Sequence, residues 1–465
     1  MVHRKKKRPF NQRDLVLQSQ RAPSLPFGSG GPCDRLELCG SCPLLPLSYD
    51  AQLAWKLQDL QKNLELYPSL ANVMDLIRVA PHEKAELTPR GYRHTVKPSV
   101  RSGPLAEAPL QIGLYQPGSH QLVDLSGCIA QTRPINTLLE LIRELAPKCG
   151  LRAFTPGDEL VDNKRSLRYL VAREGLSIDQ SEAGKRSRSV SIYLSLIVTQ
   201  IDRKPIDELI SMLSARCPEL SGVAVHVNRL SGNAIFDVQS PTTHHWGDPT
   251  LYAEWKAEPT APSLIFQISA ASFTQVNPKV AELAYQEVIR GLHPQPGEVA
   301  IDLYCGGGAI GILLASQARQ RGGPLAKLIG FEESSSSIFD ARQNATRHGI
   351  DESEWVLGRV EDQLTALYES NEGSQARELI VALNPSRRGC QVSVLSAVTR
   401  LKPRKIAYMS CHAKTLARDL SRLTEQGYEV ESISLFDMFP GSVHYETVSV
   451  LHRSEGVSRS EVRGE

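Results

Sequence analysis

Val299-Ala300-Ile301-Asp302-Leu303-Tyr304-Cys305-Gly306-Gly307-Gly308 is the stretch whose reading decides the fold. It predicts a strand over Val299–Tyr304 that breaks into a tight turn at Gly306–Gly308. Glycines there let the backbone bend sharply and approach a ligand closely. Ile310–Arg319 follows as a helix, Leu328–Phe331 as the next strand, and Ser336–His348 as a second helix. Leu379–Leu383 and Ile406–Met409 are further short apolar strands. This alternation, from about Ser272 onward, is the grammar of a doubly wound α/β domain with a mainly parallel sheet.

Ligands of such sheets bind beyond the carboxyl ends of the strands, where the glycine turn lies. Glu332 is the next acidic residue at a strand end, and a carboxylate there can accept hydrogen bonds from both hydroxyls of a ribose. Turn and carboxylate together point to a nucleoside cofactor without separating a dinucleotide from S-adenosylmethionine. The turn lacks Walker A spacing, which disfavours ATP. Asn384-Pro385-Ser386-Arg387-Arg388-Gly389 and Ser410-Cys411-His412 follow the next two strands and open at the same sheet edge. That places the Cys411 thiol beside the cofactor pocket, although a lone strand-end cysteine is more often buried filler.

Outward from this core, 465 residues exceed one typical core and imply two or three domains. The reading divides the chain into a flexible basic arm (1–32), a cysteine segment with its helix (33–66), a compact central α+β domain (67–265), the α/β domain (266–453) and a frayed tail (454–465). In the central domain, Val190–Val198, Gly222–Val227 and Asn233–Val238 read as strands. Pro134–Leu145 and Pro205–Ala215 read as helices, as does Tyr49 to about Leu66. With 41% hydrophobic and 22% charged residues, the chain fits an ordinary globular protein. No apolar run approaches the ~20 residues of a membrane span, and basic Met1–Arg8 has no apolar stretch behind it, so a cytoplasmic location is expected. A net charge of +2 does not by itself announce nucleic-acid binding. Basic residues nevertheless cluster at residues 4–8, at Lys164/Arg165/Arg168/Arg173 and at Lys185/Arg186/Arg188, where solvated faces are the plainer reading.

An ordered series of motifs across most of the chain resembles the RNA uracil-5-methyltransferases that modify bacterial ribosomal and transfer RNA. Cys33-x5-Cys39-x2-Cys42 with Ser48-Tyr49 is similar to the family's cluster motif. Gly91-Tyr92-Arg93, Ser119-His120 and Val123-Asp124 before Cys128 resemble its central signatures. Ser272–Pro278, Asp302–Gly308, Gly330-Phe331-Glu332, Asn384–Gly389, Ser410-Cys411 with Thr415–Asp419, and His444-Tyr445-Glu446-Thr447 complete the set.

The resemblance implies a Rossmann-like class I methyltransferase domain, a central RNA-binding domain and a small N-terminal iron–sulfur segment. It implies Cys411 as nucleophile and Glu446 as base, and places Gln275, Tyr304, Glu332 and Asn384 around S-adenosylmethionine. Glu361, near the adenine, and Arg387, toward RNA, are weaker candidates. Cys33, Cys39, Cys42 and Cys128 make four thiolates. By spacing alone they suit zinc or an iron–sulfur cluster; the resemblance selects [4Fe–4S] in a structural role. Within the family, Leu435–Pro440 leading into His444-Tyr445-Glu446, Asn384, and the short run before Cys33 (no space for a small β-barrel module) resemble the 23S ribosomal RNA enzyme acting on one hairpin-loop uridine. A transfer RNA enzyme and a catalytically divergent RNA-binding relative are the alternatives. Ser386, His412 and Ala309 depart from the family pattern. A monomer is expected. A methyltransferase acting on an exocyclic amine is the chemical rival, suggested by Asn384-Pro385, but Arg387 stands where its aromatic residue belongs.

Overall fold

The computed structural model describes residues 33–80, 90–105, 108–154, 166–180, 186–230, 234–237, 239–240, 242–269, 272–364 and 378–454. The expected arm at 1–32, nearly all of the expected tail, Lys164, Arg165 and Lys185 lie outside them.

Two sheets organise the described residues. The first runs Ile77–Val79, Tyr428–Phe436, Glu446–Arg453, Lys405–Ser410, Leu379–Leu383, Val299–Leu303, Lys327–Glu332, Ser353–Leu357. The last five strands are mutually parallel, and Glu446–Arg453 is inserted antiparallel to both of its neighbours. A mixed α/β fold results. Buried parallel strands bury both faces, and here alternate residues feed two cores. Ala407 and Met409 face a core shared with helices Pro278–Leu292 and Ala309–Gln320. Ile406 and Tyr408 face the opposite core, under helices Ala413–Glu425 and Val392–Arg400. Leu60 and Leu64, from helix Tyr49–Leu64, join this second core. The edge strand Ile77–Val79 also belongs here, paired in parallel with Ile433–Leu435.

The second sheet centres on the long hairpin Ser166–Gln180 and Arg186–Val198, with Leu220–Val227 and Thr242–Gly247 on one side and Ser99–Leu105, Ala108–Tyr115 and Leu122–Asp124 on the other. Helices Arg133–Leu145 and Arg203–Arg216 cover one face. The expected strand at Asn233–Val238 is not formed where it is described, over Ala234–Asp237. Side chains take its backbone groups instead of a ladder. Asn228 Nδ2 donates to the carbonyls of Ala234 and Ile235 at 2.6 and 2.8 Å, and the Asp237 N–H donates to His226 Nε2 at 2.8 Å. Ile235 and Phe236 meanwhile pack on Tyr169, Val171 and Ile197. Among the described residues, no helix is long and apolar enough to cross a membrane.

Strand Lys327–Glu332 passes beneath the Trp355 ring at Gly330, where a Cβ would lie 2.3 Å from ring carbons. Gly330→Ala should therefore overpack this contact and cost about 1–3 kcal/mol. Denaturant unfolding of the variant beside the parent checks it.

Candidate active site

The first sheet's strand ends open on a cleft of about 1240 Å³. Gln275, Tyr304, Glu332, Asn384, Cys411 and Glu446 all line it, with Glu361 and Arg387. A local reason places each one. Tyr304 sits just past its strand at φ 62°, with Gly306 at 53° and Gly308 at 80°, so alternate residues of the turn occupy left-handed backbone. Asp302, fully buried, anchors the following helix by accepting the Gly311 N–H at 2.9 Å. Burial raises its carboxyl to about 7. Glu332 closes its own strand and accepts the Gly306 N–H at 3.2 Å and the Ser334 N–H at 2.9 Å. Asn384 is tied to the turn strand by its N–H, which donates to the Leu303 carbonyl at 3.2 Å.

Helix Ser335–Arg347 staples the cleft's second wall. Asp340 accepts the Ser269 N–H at 2.8 Å. Asn344 accepts from the Gln267 N–H at 2.6 Å and donates to the Gly307 carbonyl at 3.1 Å. These bonds fix the segment that leads to exposed Phe273 and buried Gln275.

Cys411 and Glu446 meet through strand register. Lys405–Ser410 and Glu446–Arg453 pair antiparallel from Lys405↔His452 to Ser410↔Thr447. Cys411 directly follows that last pair on one strand and Glu446 directly precedes it on the other, so both reach the cleft at the end of the ladder. Burial, then the Glu446 charge, raises the Cys411 thiol, while Arg387 pulls it down. Burial raises Glu446 to about 8, again opposed by Arg387. Such a carboxyl can hold or accept a proton near neutrality.

The loop carrying Asn384 and Arg387 is braced by residues the sequence gave no role. Asp419, fully buried, accepts the Cys390 N–H and the Tyr408 hydroxyl, each at 2.8 Å. Arg418 donates to Asp419 and to the carbonyls of Arg388 and Cys390. Arg93, Phe439 and His444 complete the cleft's other side. Partial burial and the cations Arg387, Lys56, Arg93 and His412 hold His444 down at about 4.

Cys33, Cys39, Cys42 and Cys128 are free thiols of intermediate exposure. Burial, together with Cys128, Cys39 and Cys33, pushes the Cys42 thiol up to about 12, so the four sulfurs share one neighbourhood. Among the described residues, no set of three or more His, Cys, Asp or Glu side chains is arranged to hold a metal ion.

Residues 260–454 match the family described as tRNA (Uracil-5-)-methyltransferase. An RNA methyltransferase of Listeria innocua is 31% identical over 421 residues, covering 90% of this chain and 83% of that one. The chain belongs to the RNA uracil-5-methyltransferase family. It is an RNA methyltransferase. A Halalkalibacterium halodurans RNA methyltransferase is 29% identical, covering 90% of this chain and 82% of its own length. The solved Pyrococcus abyssi tRNA (uracil-54, C5)-methyltransferase, in complex with S-adenosyl-L-homocysteine, shares the fold. Its TM-score is 0.61 at 21% identity, covering 89% of this chain and 86% of that one.

The raised Glu446 carboxyl has a stability consequence for this methyltransferase. A buried carboxyl lifted from 4.5 to about 8 stabilises the fold while protonated. That contribution is present below about 4.5 and is lost as pH rises through about 8. Glu446→Gln should therefore raise the unfolding midpoint above pH 8, relative to the parent, more than below pH 4.5. Thermal unfolding across pH measures the crossover.

Proposed function

We propose that this enzyme methylates C5 of a uridine in RNA through a covalent Cys411 adduct. The observation that carries the reading is the juxtaposition of Cys411 and buried Glu446 in a cleft that Gly306 of the glycine turn and Glu332 also line. C5 of uracil is a weak nucleophile. The Cys411 thiolate adds to C6, and the C5–C6 π pair moves to the O4 enolate. S-adenosylmethionine supplies an electrophilic methyl on its sulfonium, which C5 takes as the enolate pair returns. Glu446 then removes the C5 proton, the C5–C6 double bond re-forms, and the C6–S bond breaks to free the thiolate. Arg387 favours both ionised side chains that this cycle needs.

Gln275, Tyr304, Glu332 and Asn384 are the proposed cofactor contacts, with Glu332 on the ribose and Gln275 toward the methionine end. The uridine must leave its stack to reach Cys411, which favours single-stranded loop RNA. The motif Leu435–Pro440 into His444-Tyr445-Glu446 supports 23S ribosomal RNA as substrate, bound also by the central domain. The name of the matched family and of the Pyrococcus abyssi enzyme supports transfer RNA. Mapping 5-methyluridine in both RNAs from cells lacking the protein decides between them. Cys411→Ala should abolish methylation of those RNAs, and retained activity would sink the covalent reading. Glu446→Gln should stall after methyl transfer, so that a denaturation-stable protein–RNA band carries the methyl label.

The four thiols fit a [4Fe–4S] cluster by donor chemistry, and burial, then the neighbouring sulfurs, disfavours a bare Cys42 thiolate that a bound cation would favour. Methyl transfer of this kind is redox-neutral, so the proposed role is structural: joining residues 33–42 to Cys128 of the central domain. Anaerobically purified protein should contain iron and acid-labile sulfide in equal amounts, and Cys128→Ser should lose both. Stoichiometric zinc without sulfide would replace the cluster by a zinc site.

A further inference from the structure

Lys56 and Asp437 form a fully buried ion pair far from each other in sequence. Lys56 Nζ lies 2.5 Å from Asp437 Oδ1, and both side chains are 0% exposed. The same ammonium donates to the Phe439 carbonyl at 3.1 Å. Three more contacts from the N-terminal segment grip the same turn. Gln52 Oε1 accepts the Gly441 N–H at 2.9 Å, the Leu44 N–H donates to the Gly441 carbonyl at 2.9 Å, and the Tyr445 hydroxyl donates to Asp59 at 2.8 Å.

The gripped turn, Asp437–Tyr445, joins strands Tyr428–Phe436 and Glu446–Arg453. It carries Phe439 and His444 into the cleft. Phe436↔Glu446 is the last pair of that hairpin, where ladders fray most readily. Glu446 therefore depends on whatever holds the turn. Stability alone is a poor account of the holder, because a buried ion pair is commonly no more stabilising than a well-packed apolar pair of similar size. An ion pair differs in fixing one geometry.

We propose that the Lys56–Asp437 pair is a positioning element for catalysis, holding the Asp437–Tyr445 turn so that Glu446 stays opposite Cys411 during adduct release. This rests on the covalent reading above. It makes the N-terminal helix part of the catalytic apparatus, acting through Glu446 and touching neither RNA nor methyl donor.

The test uses full-length Lys56→Met, Lys56→Arg and the double variant Lys56→Met/Asp437→Leu. The probe is RNA extracted from cells lacking this protein, with methyl-labelled S-adenosylmethionine. The double variant removes both charges, so it should keep the parent's unfolding midpoint even where Lys56→Met alone fails to fold. Its turnover should fall at least about tenfold, since small misplacements of a catalytic group cost up to about 10²-fold. KM for S-adenosylmethionine should stay unchanged, and methyl label should accumulate in a denaturation-stable protein–RNA band. Lys56→Arg should recover most of the turnover. The proposal is overturned if the stable double variant turns over at the parent's rate, or if turnover falls with no label in that band. Parent enzyme that methylates RNA but loses nothing with Cys411→Ala would instead overturn the covalent reading beneath it.

Discussion

Antiparallel pairing between Lys405–Ser410 and Glu446–Arg453 sets the thiol against the carboxylate, and the site is built around that register. Side chains in a strand alternate between faces, so a one-residue slip would turn Met409 and Val448 out of their core as well as parting Cys411 from Glu446. The apolar cores on both faces thus enforce the placing of Cys411 beside Glu446. Thr447 adds a direct lock, its hydroxyl donating to the Ser410 carbonyl at 3.1 Å. Burial then acts on the pair chemically. It raises both groups toward their neutral forms, and Arg387, on an exposed loop, supplies the opposing charge. A carboxyl raised to about 8 can hold or release a proton near neutrality, beside a thiol that the same burial also raises.

The parts of this arrangement written in local sequence were legible before the fold was known. Val299–Leu303, the glycine turn, Lys327–Glu332 and the loops at Asn384 and Cys411 each carry their own signal, since strand ends and turns are local events. Strand direction is a different matter. Glu446–Arg453 is buried over its first six residues and reads like any buried strand; nothing local says that it inserts antiparallel into a parallel sheet. Nor does Ile77–Val79 announce a partner more than 350 positions away. At Ala234–Asp237 the apolar pattern of a strand is present, but Asn228 and His226 intercept the backbone groups that a ladder would use.

Lys56 shows the sharper limit. On a helix between Trp55 and Leu57, a lysine reads as a solvated residue, as lysines almost always are. Its burial follows only from Asp437, equally polar in sequence and equally buried in the fold. Asp419 is similar: besides the adjacent Arg418, its carboxylate takes the Cys390 N–H and the Tyr408 hydroxyl, which the fold brings to it from a loop and a strand. Buried polar groups need partners, and partners distant in sequence leave no periodic trace. The residues that orient a site are therefore harder to read than the residues that react.

The segment Gly91–His94 shows why the cleft belongs to all parts of the chain. Its backbone donates to Ala130 of the central unit through the Arg93 N–H and to Val276 of the catalytic unit through the His94 N–H, each at 2.8 Å. The His94 carbonyl in turn accepts the Glu174 N–H at 2.8 Å. Between those anchors, the Arg93 guanidinium stands 6.0 Å from the Phe439 ring, on the turn that Lys56 grips. The same guanidinium partly opposes the burial that raises the Cys42 thiol. One short strap therefore touches the second sheet and the Asp437–Tyr445 turn, and its charge reaches Cys42. The cleft at the ends of the first sheet's strands thus takes part of its wall, Arg93, from a segment hydrogen-bonded to residues around the second sheet.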